Sequence, residues 1–371
     1  MKFIASLLVL SLFFSGLTLN AVQTAELTLE QAISRVTNRD LTLVSTPSGP
    51  PTLLIERTLS QNELLIRQLR EQARLSRNTH IVLFNTDRVQ AEILYGQIVR
   101  MSKDADKLER YSHVHRMNIE LGIRRSITNI AGLRMDLYNL ENSIALQETL
   151  FEQTQIRNYH GMVSDVDVVD AELALEQFML QKELLELSLL DNMQQFNTLL
   201  RHSIYSDITV TYDISTEPLP EDIDRFISRS IAENPMYLNR QDEAEARFAE
   251  WQSRLNDRSA PEATILMLRL EHTLALFERD NAERMAELNI RNALNEWERL
   301  LEVEQAIQAE LEQAVNDYEN MKSRYEAGFV TQIQVDLTAQ AVAAQETRLM
   351  KQAYDFWIAR FIIDHPYLYG R

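Results

Sequence analysis

The residue types that carry chemistry are sparse and dispersed in this 371-residue chain. There is no cysteine, so neither a thiolate nucleophile nor a disulfide can be built. Seven histidines are scattered along it. The close pair His113 and His115 stands two residues apart, and on a helix that spacing points the rings to different sides, which suits no metal. No glycine-rich phosphate loop and no Gly-x-Ser-x-Gly nucleophile elbow occurs. A carboxylate pair assembled in space stays open at this level. The reading is of a protein that is not an enzyme and that needs no cofactor.

What recurs instead is a bend. "NYHGMVSDVDVVDAELALEQ" from Asn158 and "RYEAGFVTQIQVDLTAQAVAAQ" from Arg324 each place an aromatic and a glycine after a long apolar-periodic run and then begin a second run. Gly161 and Gly328 fall where the chain must reverse, and a left-handed backbone there is easy for glycine and costly for other residues. Ser164 and Thr331, three residues on, suit the N-caps of returning helices. Met162 with Val163, and Phe329 with Val330, are placed at the tips. Two readings stand side by side: a docking surface, or apolar residues that staple the turn.

The elements leading to the bends are long. With 8 glycines and 8 prolines, and no proline from 52 to 217 or from 262 to 365, the chain reads as mostly α-helical. One helix is predicted from Glu262 to Ala327, roughly 100 Å at 1.5 Å per residue. Along it Ile307, Leu311, Ala314, Tyr318, Met321 and Tyr325 recur at coiled-coil intervals. A counterpart from Asp87 to Tyr159 carries Leu133, Leu137, Leu140 and Ile144. Returning helices are predicted over Asp165–Leu200 and Gln332–Ile363. Each covers half its partner, so a further short helix, such as Glu221 to Asn256, must stack end-on. "DITVTY" at Asp207–Tyr212 alternates like a strand, and "LTLVST" and "THIVLF" are weaker strand readings.

Internal similarity divides the chain. "LTLEQAISRVTNRD" from Leu27 and "LPEDIDRFISRSIAENP" from Leu219 share an Ile-Ser-Arg core and are each read as opening a helix. The repeats run from 22 to 216 and from 217 to 371. Residues 1–21 pass from Lys2 through an apolar stretch to Ala21, the pattern of a secretory signal. The alternative, a retained anchor, is disfavoured because the run falls short of the ~20 residues a spanning helix needs. The net charge of −18 disfavours phosphate backbones and nucleic acid.

The aromatic-Gly-hydrophobic-Val-Ser/Thr turns, the long helix before each, the duplicated halves, "LTLEQAI" after the leader and "AENP" in the second repeat together resemble the TolC-like outer-membrane efflux protein family. The resemblance covers most of the mature chain. It implies a homotrimer in which each subunit gives two helical hairpins to a twelve-helix tube, and tips that dock a periplasmic adaptor protein serving an inner-membrane pump. It assigns Gly161, Met162, Val163, Ser164, Gly328, Phe329, Val330 and Thr331 to adaptor contact. It implies that no private core forms within one subunit. The family's acidic constriction is matched by Asp167 and Asp170 in the first repeat. In the second, Gln334 and Leu337 occupy those places and Asp336 lies out of phase.

One departure stands out. Family members carry paired strands for a membrane barrel in each repeat, and a crossing strand needs about 9 to 11 residues. Between the helices ending near Asn256 and starting at Glu262 there is only "DRSAP", and "DLTLVSTPSGPPTLLIE" has room for a tiny hairpin at most. The expected fold is therefore all-α with duplicated hairpins, little β structure and barrel strands reduced or absent. The expected role is an exported conduit of the cell envelope, in the outer membrane or periplasm. The competing expectation is an envelope scaffold, a coiled-coil interaction protein that kept the hairpins and lost the duct.

Overall fold

The computed structural model describes residues 25–28, 31, 51–200, 203–204, 208–211, 219–255 and 260–370. The proposed signal, the "LTLVST" reading and the boundary at 216/217 lie outside these residues. Seven α-helices are present among them: α1 (Pro51–Thr86), α2 (Arg88–Tyr159), α3 (Asp165–Leu199), α4 (Ile223–Ala232), α5 (Pro235–Leu255), α6 (Glu262–Glu326) and α7 (Gln332–Asp364). α2 has 72 residues and α6 has 65, so each is roughly 100 Å long. The predicted ends of the long and returning helices agree with these bounds to within a residue or two.

Three expectations change. "THIVLF" is the end of α1, not a strand. Packing of this segment along α2, where Leu83 is half-buried and the His80 ring lies 5.7 Å from that of Tyr95, overrides the strand pattern, while Ile81 and Val82 stay exposed. The single helix expected over Glu221–Asn256 is two. Pro235 has no N–H and disfavours helix at the residue before it, so α4 stops at Glu233. Asn234 then caps α5 by accepting from the N–H groups of Met236 (2.9 Å) and Tyr237 (3.2 Å). Finally, Leu27, where a helix was expected to open, lies in a strand, β1 (Ala25–Thr28), that pairs in parallel with β2 (Ile208–Thr211), and the rest of that expected helix falls outside the described residues but for Gln31. β2 is the "DITVTY" strand. A parallel pair needs a long crossover, and α1 to α3 provide it.

A single residue, Asp87, joins α1 to α2, and its carboxylate accepts from the Gln90 N–H at 3.2 Å as the N-cap. A membrane-crossing β-hairpin has no room at that junction. No described helix is long and apolar enough to cross a membrane.

Cross-helix pairs set the levels. α1 lies antiparallel on α2, with Arg70 to Glu109 at 2.6 Å and Arg116 to Glu63 at 3.1 Å. α3 continues the same flank through Lys182–Glu141 at 2.8 Å. On the other flank of α2, Arg110 donates to Asn239 of α5 (2.7 Å) and Asn139 donates to Thr347 of α7 (2.8 Å). α5 and α7 in turn lie on α6, through Arg240–Glu278 (2.6 Å) and Gln352 to the Leu300 carbonyl (2.8 Å). Exposed ion pairs like these add little stability, but they fix register. The result is a layer four helices wide, in the order α1 above α3, then α2, then α5 above α7, then α6. α2 and α6 run parallel at the same level.

The expectation of no private core is corrected at the waist of this layer. Ile123, Phe196 and Trp357 are buried together, as are Ile290, Trp297, Phe356 and Ile363. Trp297 meets Phe356 edge-on at 4.9 Å. Arg124, ion-paired to Glu120 at 2.7 Å, lies over the rings of Trp357 and Phe361. Here the ends of α3, α4 and α7 meet the middles of α2 and α6, so five helices converge where elsewhere only neighbours in the layer touch. That crowding makes a core the layer alone would not have.

After α7 the chain hooks back, burying Tyr367 and Leu368 against Val114 and Leu121 of α2. The Tyr367 hydroxyl lies 3.2 Å from both His113 Nε2 and His365 Nδ1. Burial lowers the pKa of both histidines, with Arg116 adding to the effect at His113 and Asp364 opposing it at His365. Burial also raises Tyr367 to about 12. The unfolded chain then binds protons at these histidines before the folded one does, so their contribution is present above the ordinary imidazole pKa and is lost as pH falls below it. Thermal unfolding should therefore give a lower Tm at pH 5 than at pH 7.5, and His113→Gln should shrink that difference. An equal pH response in the variant would contradict this account.

Candidate functional site: the hairpin tips and the free edges

Both bends have the same backbone. Gly161 (φ 69°) and Gly328 (φ 77°) are left-handed. The Gly161 N–H donates to the Asn158 carbonyl (2.7 Å) and the Met162 N–H to that of Arg157 (2.8 Å). At the second tip Gly328 donates to Tyr325 and Phe329 to Arg324, both at 2.8 Å. This is the Schellman closure of a helix C-terminus. The N-cap of each returning helix, Ser164 or Thr331, follows two residues after Met162 or Phe329. Ser164 and Asp167 form a reciprocal capping box, with the Ser164 N–H to Asp167 Oδ2 at 2.7 Å and the Asp167 N–H to Ser164 Oγ at 3.3 Å. The Thr331 N–H donates to Gln334 Oε1 at 2.9 Å. Glycine is required at the left-handed position, so Gly328→Val should cost ~1–3 kcal/mol, measured by denaturant unfolding against Gly328→Asn, which tolerates that conformation. Equal stability of the two variants would argue against the strain.

The tip side chains divide into two kinds. Val163 and Val330 are half-buried in the turns, which is the stapling role. Met162 and Phe329 project, with 71% and 78% of their surface exposed. Because α2 and α6 run level, both tips lie at the same end of the layer. Asp167 is occupied by its cap, and the Ser164 hydroxyl and N–H hold its carboxyl below the usual range. Asp336 accepts from the Gln332 amide at 2.8 Å, and Asp170 is exposed on α3. Asp167 and Asp170 stand on the helix that returns from the first tip and Asp336 on the one that returns from the second, at the same end of the layer.

The free edges went unread in the sequence. The stripe on α6 at coiled-coil intervals faces α7 inside the chain: Ile307 is buried and Leu311, Ala314, Tyr318 and Met321 are half-buried, while Tyr325 is exposed. Left outside is a second stripe on α3. Val166, Leu173, Leu180 and Leu187 recur every seven residues, opposite the face that packs on α2, and all are exposed. At the waist-to-top half, α1 exposes Leu64, Leu75 and Val82, and α6 exposes Leu266, Leu270, Leu274, Phe277 and Met285. These two sets lie on opposite edges of the layer at matching levels. The signal available for them was a helix apolar on two sides rather than one.

No family model matches the chain and no curated protein matches its sequence. Solved structures do match its fold. The outer membrane protein VceC from Vibrio cholerae matches at a TM-score of 0.63 and 10% identity, covering 91% of this chain and 95% of that one. CusC, whose folding and transmembrane channel formation have been described crystallographically, matches at 0.64 and 11% identity over 91% of each chain. The Neisseria gonorrhoeae MtrE outer membrane channel, in its open state, matches at 0.58 and 11% identity, covering 91% and 88%. The chain has the helical fold of the TolC-like outer-membrane channels. Its described strands are β1 and β2, of four residues each.

Proposed function

We propose that this chain is one subunit of a ring-shaped, TolC-like conduit of the cell envelope, a homotrimer that passes solute without chemistry as the outer component of an efflux or secretion assembly. The observation that carries the reading is the pair of free edges. A four-helix layer with an apolar stripe on α1 and a level-matched one on α6 satisfies both against other copies in a head-to-tail arrangement that closes as a ring. Three copies would place twelve helices around a duct, and both tips of every copy at one mouth. The likeness to outer-membrane channels supports the same architecture. Met162 and Phe329, projecting from two identical closures, are the surface offered to a periplasmic adaptor and, through it, an inner-membrane pump. Asp167, Asp170 and Asp336 would ring that mouth and raise the local cation concentration.

The single-residue link at Asp87 favours a conduit that does not cross the membrane with strands at that junction. The scaffold reading shares the hairpins but needs no closed ring. Native mass spectrometry with negative-stain imaging of the purified mature chain separates the two. A trimeric mass and a hollow end view are expected, and a monomer with a solid outline would overturn the conduit.

A further inference from the structure

The two halves of the proposed seam differ in charge. In the half away from the tips, α1 carries five arginines against three acidic residues, and it meets the 262–290 part of α6, where six acids face three bases. Those signs are complementary, and they border apolar stripes on both sides. In the tip half, α3 carries eight acidic residues and one lysine, and Lys182 is already paired with Glu141. It meets α6 from 291 to 326, where nine acids face four bases. The cross-helix pairs Lys182–Glu141, Asn139–Thr347 and Gln352–Leu300 place Asp191 near the level of Glu298, Glu183 between those of Glu302 and Glu312, and Glu176 near that of Glu312, all of them exposed. The outward face of α6 there is Gln313, Asn316 and Asn320 rather than a second apolar stripe, so the exposed Leu173, Leu180 and Leu187 of α3 meet a polar face and gain less from burial than the stripes of the upper half do.

We infer that each seam is a salt-dependent fork: the half away from the tips closes at any ionic strength, while the tip half is held apart by like charge and closes only when that charge is screened. This rests on the ring reading and adds to it a control of the mouth. Packed helices lie 8–10 Å apart. Opposed carboxylates at that distance interact strongly at low salt, where the screening length is about 30 Å at 0.01 M, and weakly at 1 M, where it is about 3 Å. The effect follows ionic strength, and no bound ion is required.

The absence of cysteine makes the test direct. In the full mature chain, Gln68→Cys with Asn281→Cys places one thiol on each edge in the upper half, and Gln177→Cys with Asn316→Cys does so in the tip half. The paired positions lie on opposite edges of one protomer, so a bismaleimide spanning ~10 Å links only different copies. Covalent trimer is read on denaturing gels in 10 mM and 1 M NaCl. The upper pair should crosslink equally at both, and the tip pair about fivefold or more better at 1 M. Adding Glu176→Gln, Glu183→Gln and Asp191→Asn should restore tip crosslinking at 10 mM. Crosslinking of the tip pair that is independent of salt overturns the fork while leaving the ring. Failure of both pairs at every salt overturns the ring and the fork together.

Discussion

Replacing Leu270 and Phe277 by aspartate should convert the proposed ring into monomers that keep their helicity. Both side chains stand out from α6, 60% and 66% exposed, on the side opposite α5, and neither belongs to the waist core. Burying each against the Leu75 region of another copy is worth ~1.5–3 kcal/mol. An aspartate at the same place would have to be desolvated without a partner, adding a further cost of a few kcal/mol. The sum is repeated at every seam, so association should weaken by well over ~100-fold. Light scattering after size exclusion gives the mass, and circular dichroism checks that the helices remain. A double variant that still runs at three times the chain mass would remove α6 from the seam.

The second large effect concerns the tips. Met162→Asp with Phe329→Asp should abolish export while the ring stays intact. The projecting residues are closed off from the layer by the Schellman turns, so their replacement leaves Gly161, Gly328 and both caps untouched. If the tips dock an adaptor as proposed, a charged tip desolvated in that contact loses the contact energy and adds a penalty. Accumulation of a fluorescent dye in the native host should rise to the level of a deletion strain, and the mass of the purified variant should be unchanged. Wild-type accumulation with this variant would assign Met162 and Phe329 to stapling alone.

The helix limits were legible because their causes are local. Gly161 and Gly328 stop α2 and α6 through a backbone conformation that only a few neighbouring residues set, and Ser164 and Thr331 restart the chain by bonds reaching three residues. Asn234 and Pro235 were equally local, and the break between α4 and α5 lay in the "ENP" already noted as a family feature. The waist core was different. Trp297 and Phe356 are 59 positions apart, and His113 reaches Tyr367 across 254. No period in one helix reports such pairs.

By itself the sequence determined the ends of the two long helices and of the two returning ones, and the two reversals between them, since each depends on spacing or on conformations of single residues. It could not say which apolar stripe is spent inside the chain. Only the tertiary arrangement decided that Ile307 to Met321 lie against α7 while Val166 to Leu187 face outward, and that the two hairpins share a core at the waist. The reason is that a helix with two apolar sides is symmetric in its own pattern. Which side finds a partner depends on where the other helices pass.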